Sequence, residues 1–506
     1  MTTSRLAAVA FALAVVVLAP AAYDHPNIYD EGIVVVGAMR LLDGDLPHLD
    51  FWTMYPPGVF LLFAAIFQLF GATLFVERTA SLLLSALLVA GGFATAARRA
   101  GPLWAFWTAA LVTLWLRAGR LHASAVVPAL LCVLAVVWLL RVDAGRATTR
   151  AVAAGLVLAL AAMFRHDLAA YAFVATAAGL LLSRCGRMLL VYTATATVAV
   201  AAVAAVLTAL VGADRLLDQL IVFPVWGFPS VRALPYPSLA LAVGPPVLAG
   251  AAIVAAAWQL RAGARAPATE LMMLGLTGGL FVLQSSVRSD FGHVLPSFVL
   301  AVTAVGMALG GVATSWRTTT RSALRDVTTR SALRGVVAVA VTVFAVACLP
   351  PPAEPPARHA YRLPAASGLY SSADPTPYEQ AIALVQRLTP PGAPIFVGND
   401  RHDRLFINDV LFYALAGRPP ATGYHELHPG VATTAPVQRA IVADLERHDV
   451  QTVIIRTERH PLEHANASSR SSGVTLLDEH LASSFAPVGR FGDYEVRRRI
   501  TPARGR

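Results

Sequence analysis

The stretch that decides how this chain is threaded is PPGVFLLFAAIFQLFG, residues 56–71. It is apolar enough to enter a bilayer, yet Pro56-Pro57-Gly58 precede it and Gln68 and Gly71 interrupt it. Read as a crossing, it would reverse the side of every later loop. Read as a helix lying at or dipping into the outer interface, it leaves them in place. On either side, runs rich in Ala, Val and Leu have the length a bilayer span requires. They fall near 6–22, 77–97, 102–118, 122–140, 151–164, 168–183, 189–212, 239–260, 268–286, 293–314 and 335–351, eleven in all. With Arg5 inside, this threading places 15 arginines in inner loops, including Arg98, Arg99, Arg141, Arg146 and Arg150. Only 8 fall in outer loops before residue 352: Arg40, Arg78, Arg117, Arg120, Arg165, Arg215, Arg232 and Arg288. Arginine accumulates in cytoplasmic loops, so 58–75 is read as interfacial.

The same bias settles 151–183. As one long helix it would bury Arg165-His166-Asp167 near mid-bilayer, at a cost of several kcal/mol, roughly. As a hairpin of two short spans it puts the triplet at an outer turn, with arginine clusters inside at both ends. The composition agrees: 506 residues, 56% hydrophobic, 14% charged, mean hydropathy +0.61. Soluble domains carry about a quarter charged residues. The net charge of +10 comes entirely from arginine set in short loops and the C-terminal region. That is membrane-orienting charge, and it argues against a nucleic-acid partner. Cys132, Cys185 and Cys348 form no CxxC or Cys/His cluster. The first apolar run, with Ala19-Pro20-Ala21 at its end, resembles a cleaved signal but is read as a retained helix because many spans follow.

After Pro350 the pattern changes. Prolines 350–352, 355 and 356 read as a stiff linker, and beyond it helix-like and strand-like segments alternate. Helices are expected over 376–389, 404–416, 435–448 and 476–484, and strands over 395–398, 452–456, 488–490 and 494–497. The chain therefore divides into a transmembrane part, 1–351, whose outer loop spans 23–76, and a small extracytoplasmic α/β domain, 352–506. The threading makes it a multi-pass protein of the plasma membrane, N-terminus cytoplasmic. A heptapeptide, Thr319–Arg325, recurs as Thr328–Arg334 and reads as a local duplication.

The outer segment 23–57 carries six acidic residues. Asp43-Gly44 is a turn signal. Asp30 and Glu31 differ, because they open the amphipathic run Ile33–Leu42 and so sit at a helix N-terminus. There the helix dipole favours carboxylates. Residue chemistry alone leaves a capping role and a catalytic base equally open for Asp30. The order Asp30-Glu31, amphipathic helix, Leu41-Leu42-x-Gly44-x-x-Pro47, Asp50-Phe51, Pro56-Pro57-Gly58, apolar helix, Leu69-Phe70-Gly71 resembles the first outer loop of GT-C superfamily glycosyltransferases. These include protein O-mannosyltransferases and the aminoarabinose transferases of lipid A, the family 39 type. The resemblance implies a polytopic α-helical GT-C fold and a sugar donor on polyprenyl phosphate. It also implies transfer with inversion, and a catalytic or acceptor-positioning role for Asp30-Glu31. Where better-known members carry a basic residue before the loop's later proline, this chain has Tyr55.

Two further outer clusters join Arg, Asp and His: Arg165-His166-Asp167, and Arg288, Asp290 and His293 beside Gln284. Each serves either as a boundary anchor or as a phosphate holder, for which the guanidinium fork is suited. The outer loop 213–238, rich in aromatics and proline and bearing Arg232, reads as an interfacial belt or a groove for a sugar or a polyprenyl tail. The expected reaction is direct displacement on a lipid-phosphate sugar. Asp30 is its base and Glu31 an aid that could orient the acceptor or bind a divalent ion. Arg165, Arg288, Arg232 and His293 hold phosphate, with His166, Asp167, Asp290, Asp50 and Tyr55 in support. The acceptor is a glycan, lipid or protein of the cell envelope. The ligand set for a metal ion is unassigned, and the histidines at 402, 425, 428, 448, 460, 464 and 480 match no metal spacing. A transporter or flippase of a lipid-linked glycan would need charges buried inside spans or inverted repeats. A membrane-anchored envelope assembly protein would place its work in 352–506.

Overall fold

The structure, a computed structural model, describes residues 2–311, 322–350, 358–457 and 466–500. The proline linker, His460 and His464, and part of the duplicated heptapeptide lie outside the described residues. The helices follow the apolar runs closely: α1 Thr3–Ala22, α2 Asp30–Leu42, α3 Gly58–Phe70, α4 Leu74–Gly119, α5 Val126–Leu139, α6 Ala147–Phe164, α7 His166–Leu182 and α8 Gly186–Val211. Short helices α9, Ala213–Leu217, and α10, Phe228–Arg232, flank a π-helical stretch, Asp218–Gly227. Then come α11 Leu239–Arg261, α12 Arg265–Ser285, α13 Phe291–Gly311 and α14 Ser322–Ala347. Seven are long and apolar enough to cross a membrane. Among them, α4 bends back on itself at Gly101, whose φ of 76° and ψ of 175° are followed by Pro102. Counting both arms of α4, with the shorter α5, α7 and α14, returns the eleven expected runs. The protein is a multi-pass integral membrane protein.

Helix α3 has 13 residues, about 20 Å of helix against a core of about 30 Å. It packs on α2, α4 and α6. Its first residue shows how closely: a Cβ on Gly58 would lie 2.5 Å from the Met163 carbonyl oxygen. The hairpin in 151–183 is also present. Helix α6 ends at Phe164, Arg165 is extended at φ −147°, and α7 begins at His166. At the bend of α4, Arg98 and Arg99 bind the buried Glu270 of α12 at 2.7 and 2.6 Å. Trp115 in the second arm stacks on Phe298 of α13 and donates to the Ala345 carbonyl at 3.1 Å.

The region expected to be an outer loop, 213–238, is instead mostly helical. Pro224 sits inside it and has no N–H to donate, so the turn widens to π spacing. Gln219 anchors the stretch, taking the Thr53 N–H at 3.2 Å and pairing with His48 Nδ1 at 3.0 Å.

The C-terminal region opens with a two-stranded ribbon, β1 His359–Ala360 and β2 Tyr370–Ser371. It continues as α15 Thr376–Leu388, β3 Phe396–Asn399, α16 Leu411–Ala416, α17 Ala435–Arg447, β4 Thr452–Arg456, α18 Leu476–Ser484, β5 Phe485–Phe491 and β6 Tyr494–Arg499. The sheet order is β3-β4-β6-β5, with β3 and β4 parallel and the rest antiparallel. The expected helix over 404–416 is shorter, because Asn408 and Asp409 spend their side chains on backbone. Asn408 bonds Val397 O, His425 O and Leu427 N, and Asp409 caps Phe412 N.

Strand alternation sorts the two faces of this sheet. Phe396, Val453 and Ile455 pack with Ile441, Leu445, Leu477 and Leu481 of α17 and α18. Ile395, Val397, Ile454 and Val496 belong to a core that runs without a break into the membrane helices. The seam lies between α2 and α16. Leu411 N donates to Ile28 O at 2.9 Å, and a Cβ on Gly32 would stand 2.5 Å from Leu411 N. Glycine is therefore required there. Arg40 adds bonds to Asp45 (2.7 Å), Thr422 O (2.9 Å) and Asp50 O (3.0 Å).

A second arginine locks α2 to the membrane part. Arg78 of α4 is fully buried and grips both oxygens of Glu31, at 2.5 and 2.6 Å. It also donates to Ala22 O at 2.9 Å and Asp24 O at 3.1 Å, so one guanidinium ties together the end of α1, the start of α2 and the start of α4.

Candidate active site

The start of α2 is capped from outside the helix. Asn27 Oδ1 accepts the N–H groups of Tyr29 and Asp30 at 3.0 and 2.9 Å. Asp30 is therefore not the cap. Its exposed carboxylate takes a single weak bond from Asn27 Nδ2 at 3.2 Å and lines a cavity of about 460 Å³. Glu31, one residue on, turns the opposite way into the grip of Arg78 and receives the Asn27 N–H at 2.8 Å. Burial would raise its carboxyl, but the Arg78 guanidinium holds it below the ordinary carboxylate range. Glu31 does not line the cavity, and both its oxygens are occupied. The expectation that it meets the acceptor or a metal ion conflicts with that geometry; its contacts are those of an anchor for α2.

The cavity sits where the expected outer ends of the helices converge. Arg165, Arg232 and Arg288 all line it, as do Tyr55, Asp290 and His293. The three arginines are not equivalent. Arg165 binds the Asp167 carboxylate through two nitrogens, Nε at 2.9 Å. Arg288 Nε binds Asp290 at 2.9 Å, and the other Asp290 oxygen takes His293 Nδ1 at 2.8 Å. Burial would raise the Asp290 carboxyl, yet His293 and Arg288 hold it well below its usual range. Each of these arginines thus carries its own carboxylate two residues along the chain.

Among the described residues, Arg232 has no such partner. Its side chain is 4% exposed, and Nη1 is buried without a hydrogen bond. The guanidinium lies over the rings of Tyr29 and Phe406, 5.7 and 5.1 Å from their centroids. Position is imposed by the backbone: Leu234 N donates to Val287 O, Ser289 N to Leu234 O, and Arg288 Nη1 to Arg232 O. A buried cation with unused donors at the wall of a cavity is suited to an anion.

The C-terminal region closes the site. Glu426 is 1% exposed and lines the cavity; its Oε1 accepts the Tyr29 hydroxyl at 3.2 Å. Burial, reinforced by the charge of Asp30, pushes its carboxyl up to about 8, against the pull of Tyr29 and Arg232. His428 lines the same cavity among Trp52, Phe223 and Phe228, with Nδ1 on the Pro429 carbonyl. Burial first, then the charge of Arg232, pushes its imidazole well below the ordinary value, so the ring is neutral. Burial also raises Tyr55, and Asp30 raises it further.

The structure thus brings together Asp30, Tyr55, Arg165, Arg232, Arg288, Asp290 and His293. Asp167 stands behind Arg165 as its partner. His166 and Asp50 do not line the cavity. Asp50 instead closes its own turn on Leu46 N at 2.7 Å. Asn27, Tyr29, Glu426 and His428 join the site without a sequence signal that pairs them, since Tyr29 and Glu426 are 397 residues apart. Among the described residues, no group of three His, Cys, Asp or Glu side chains gathers as a metal site.

This architecture is the fold of ArnT. The crystal structure of ArnT from Cupriavidus metallidurans in the apo state matches it with a TM-score of 0.55 at 16% identity, covering 99% of this chain and 98% of that one. ArnT from the same organism bound to undecaprenyl phosphate matches with a TM-score of 0.54 at 16% identity, covering 99% of both chains. No protein-family model matches the chain, and no curated protein matches it by sequence.

Proposed function

We propose that this protein transfers a sugar from a polyprenyl-phosphate donor to a hydroxyl of a glycan, lipid or protein acceptor on the outer face of the membrane. The observation that carries the reading is one cavity holding both an accessible carboxylate, Asp30, and a buried guanidinium with unused donors, Arg232. Asp30 removes the proton of the acceptor hydroxyl as its oxygen attacks the anomeric carbon. The bond from that carbon to the phosphate oxygen breaks, and the polyprenyl phosphate leaves with the electron pair. One displacement inverts the anomeric centre. General-base help of this kind contributes roughly 10²–10⁴-fold, and fixed donors on the departing charge add electrostatic stabilisation. Arg232 faces the phosphate first, because Arg165 and Arg288 are already paired, while His293 and Tyr55 complete the wall. Glu31 keeps α2 in place for Asp30. The fold shared with ArnT, whose structure holds undecaprenyl phosphate, supports a carrier of that class.

In this reading the N-terminus is cytoplasmic. The part up to residue 351 carries the reaction, and 352–506 forms an extracytoplasmic α/β domain that roofs the cavity. The test is to incubate membranes containing the protein with a panel of radiolabelled polyprenyl-phosphate sugars. Transfer from at least one donor, absent with Asp30→Asn, is the expected result. Labelled product formed equally by wild type and the Asp30→Asn variant would refute the assignment.

A further inference from the structure

Among the described residues, four that line this cavity carry a buried polar atom without a protein partner: His122 Nε2, Arg232 Nη1, Gln284 Oε1 and Glu426 Oε2. Two of them, Arg232 Nη1 and Glu426 Oε2, belong to side chains in contact with Tyr29. They are not bonded to each other, although Arg232 lies near enough to act on the Glu426 carboxyl. A desolvated polar atom without a partner is costly to maintain. At the wall of a cavity it marks a place where a ligand atom completes the bonding. Arg232, with its positive charge, suits the phosphate. Glu426 needs a different partner.

Its position indicates which one. Glu426 Oε1 is held by the hydroxyl of Tyr29, the residue before Asp30. The carboxylate of Asp30 and the guanidinium of Arg232 both stand near it, Arg232 at 5.7 Å from the Tyr29 ring centroid. Both act on the charge of Glu426. In a displacement with the acceptor oxygen at Asp30 and the phosphate at Arg232, the group lying between them is the sugar being transferred. We infer that Glu426, supplied by the C-terminal region, binds a ring hydroxyl of the donor sugar through Oε2 and so helps select the sugar. This inference rests on the proposed function.

The groups facing Glu426 are Tyr29 and Asp30 from α2 and Arg232 from α10. With burial and Asp30 favouring the neutral acid, Oε2 carries a proton at neutral pH and donates it in a hydrogen bond to a sugar oxygen. Tyr29 meanwhile occupies Oε1. Raising the pH through about 8 removes that proton and the donor with it.

The experiment measures binding of two probes to the full-length protein in detergent: undecaprenyl phosphate, and undecaprenyl phosphate carrying glucose, mannose or galactose in turn. Wild type, Glu426→Gln and Glu426→Ala are compared at pH 7 and pH 9.5. The expected result is that one conjugate binds wild type about tenfold more tightly than the bare carrier at pH 7, the order a single hydrogen bond supplies. Glu426→Ala loses that increment, and Glu426→Gln, which keeps a donor and the bond from Tyr29, retains it. At pH 9.5 wild type loses the increment and Glu426→Gln does not, while bare-carrier affinity is the same in all three proteins at pH 7, where Glu426 is neutral. A full increment in Glu426→Ala, or no increment in wild type for any of the sugars, would overturn the role of Glu426 alone. If the bare carrier itself fails to bind wild type, the proposed function falls and the inference falls with it.

Discussion

Replacing Arg78 by Met should break the anchor of α2, and the size of the effect follows from the bonds lost. Arg78 supplies two bonds to Glu31, at 2.5 and 2.6 Å, and one each to Ala22 O and Asp24 O. Without it the Glu31 carboxylate keeps the Asn27 N–H at 2.8 Å, and the buried Glu77, 3.4 Å from Arg78, loses the guanidinium as well. Breaking a buried ion pair by removing one partner costs about 3–5 kcal/mol. The freed carbonyls add to this where water cannot reach them, so about 3 kcal/mol is a lower bound. The double variant Glu31→Met with Arg78→Met removes both charges together, and an apolar pair in place of a buried ion pair is often near neutral. The carbonyls and the buried Glu77 carboxyl, 3.4 Å from Arg78, then remain without the guanidinium, giving at least roughly 1–3 kcal/mol and a coupling of about 1 kcal/mol or more in a double-mutant cycle. Unfolding by SDS in mixed micelles measures all four proteins. The sign with pH is also set. Arg78 holds Glu31 below its ordinary range, so the stabilisation is complete above that range and fades as pH falls beneath it. Arg78→Met should abolish that acid dependence. A loss under about 1 kcal/mol in Arg78→Met, or no coupling, would refute the view that this pair holds α2.

Asp30→Asn should leave stability unchanged, since Asn27 does the capping. It should lower transfer by about two to four orders of magnitude, with Asp43→Asn as the control that changes little. Arg232→Gln should weaken donor binding about 10–100-fold, the range of a bond from a charged donor. Arg165→Gln and Arg288→Gln should have smaller effects because Asp167 and Asp290 already occupy them; equal losses at all three would refute the ranking. A reporter fused after Tyr361 should behave as exported, and a cytoplasmic signal there would overturn the proposed orientation.

The helix count and the break at Arg165 were legible in the sequence because each follows from the solvent. A bilayer requires about 20 apolar residues per crossing and leaves no room for Arg165-His166-Asp167 in its middle. The strands at 395–398 and 452–456 were legible for a related reason. Alternation assigns Phe396 to one layer and Ile395 and Val397 to the other, whatever lies beyond. The gathering of Asp30, Arg165, Arg232, Arg288, Asp290 and His293 at one end followed in outline, since all were expected on one side. What only the tertiary structure decided were the partners. Asp30 and Glu31 are adjacent carboxylates at the same helix start, and the roughly 100° between neighbouring helical residues sends them to different fates, a cavity wall and a buried arginine. Arg165 and Arg288 have an aspartate two residues along the chain and Arg232 has none, but that no distant carboxylate among the described residues reaches Arg232 emerges only once the chain is packed. Glu426 reaches Tyr29 because the sheet's inner face continues the membrane core, a contact across 397 residues that no local pattern encodes.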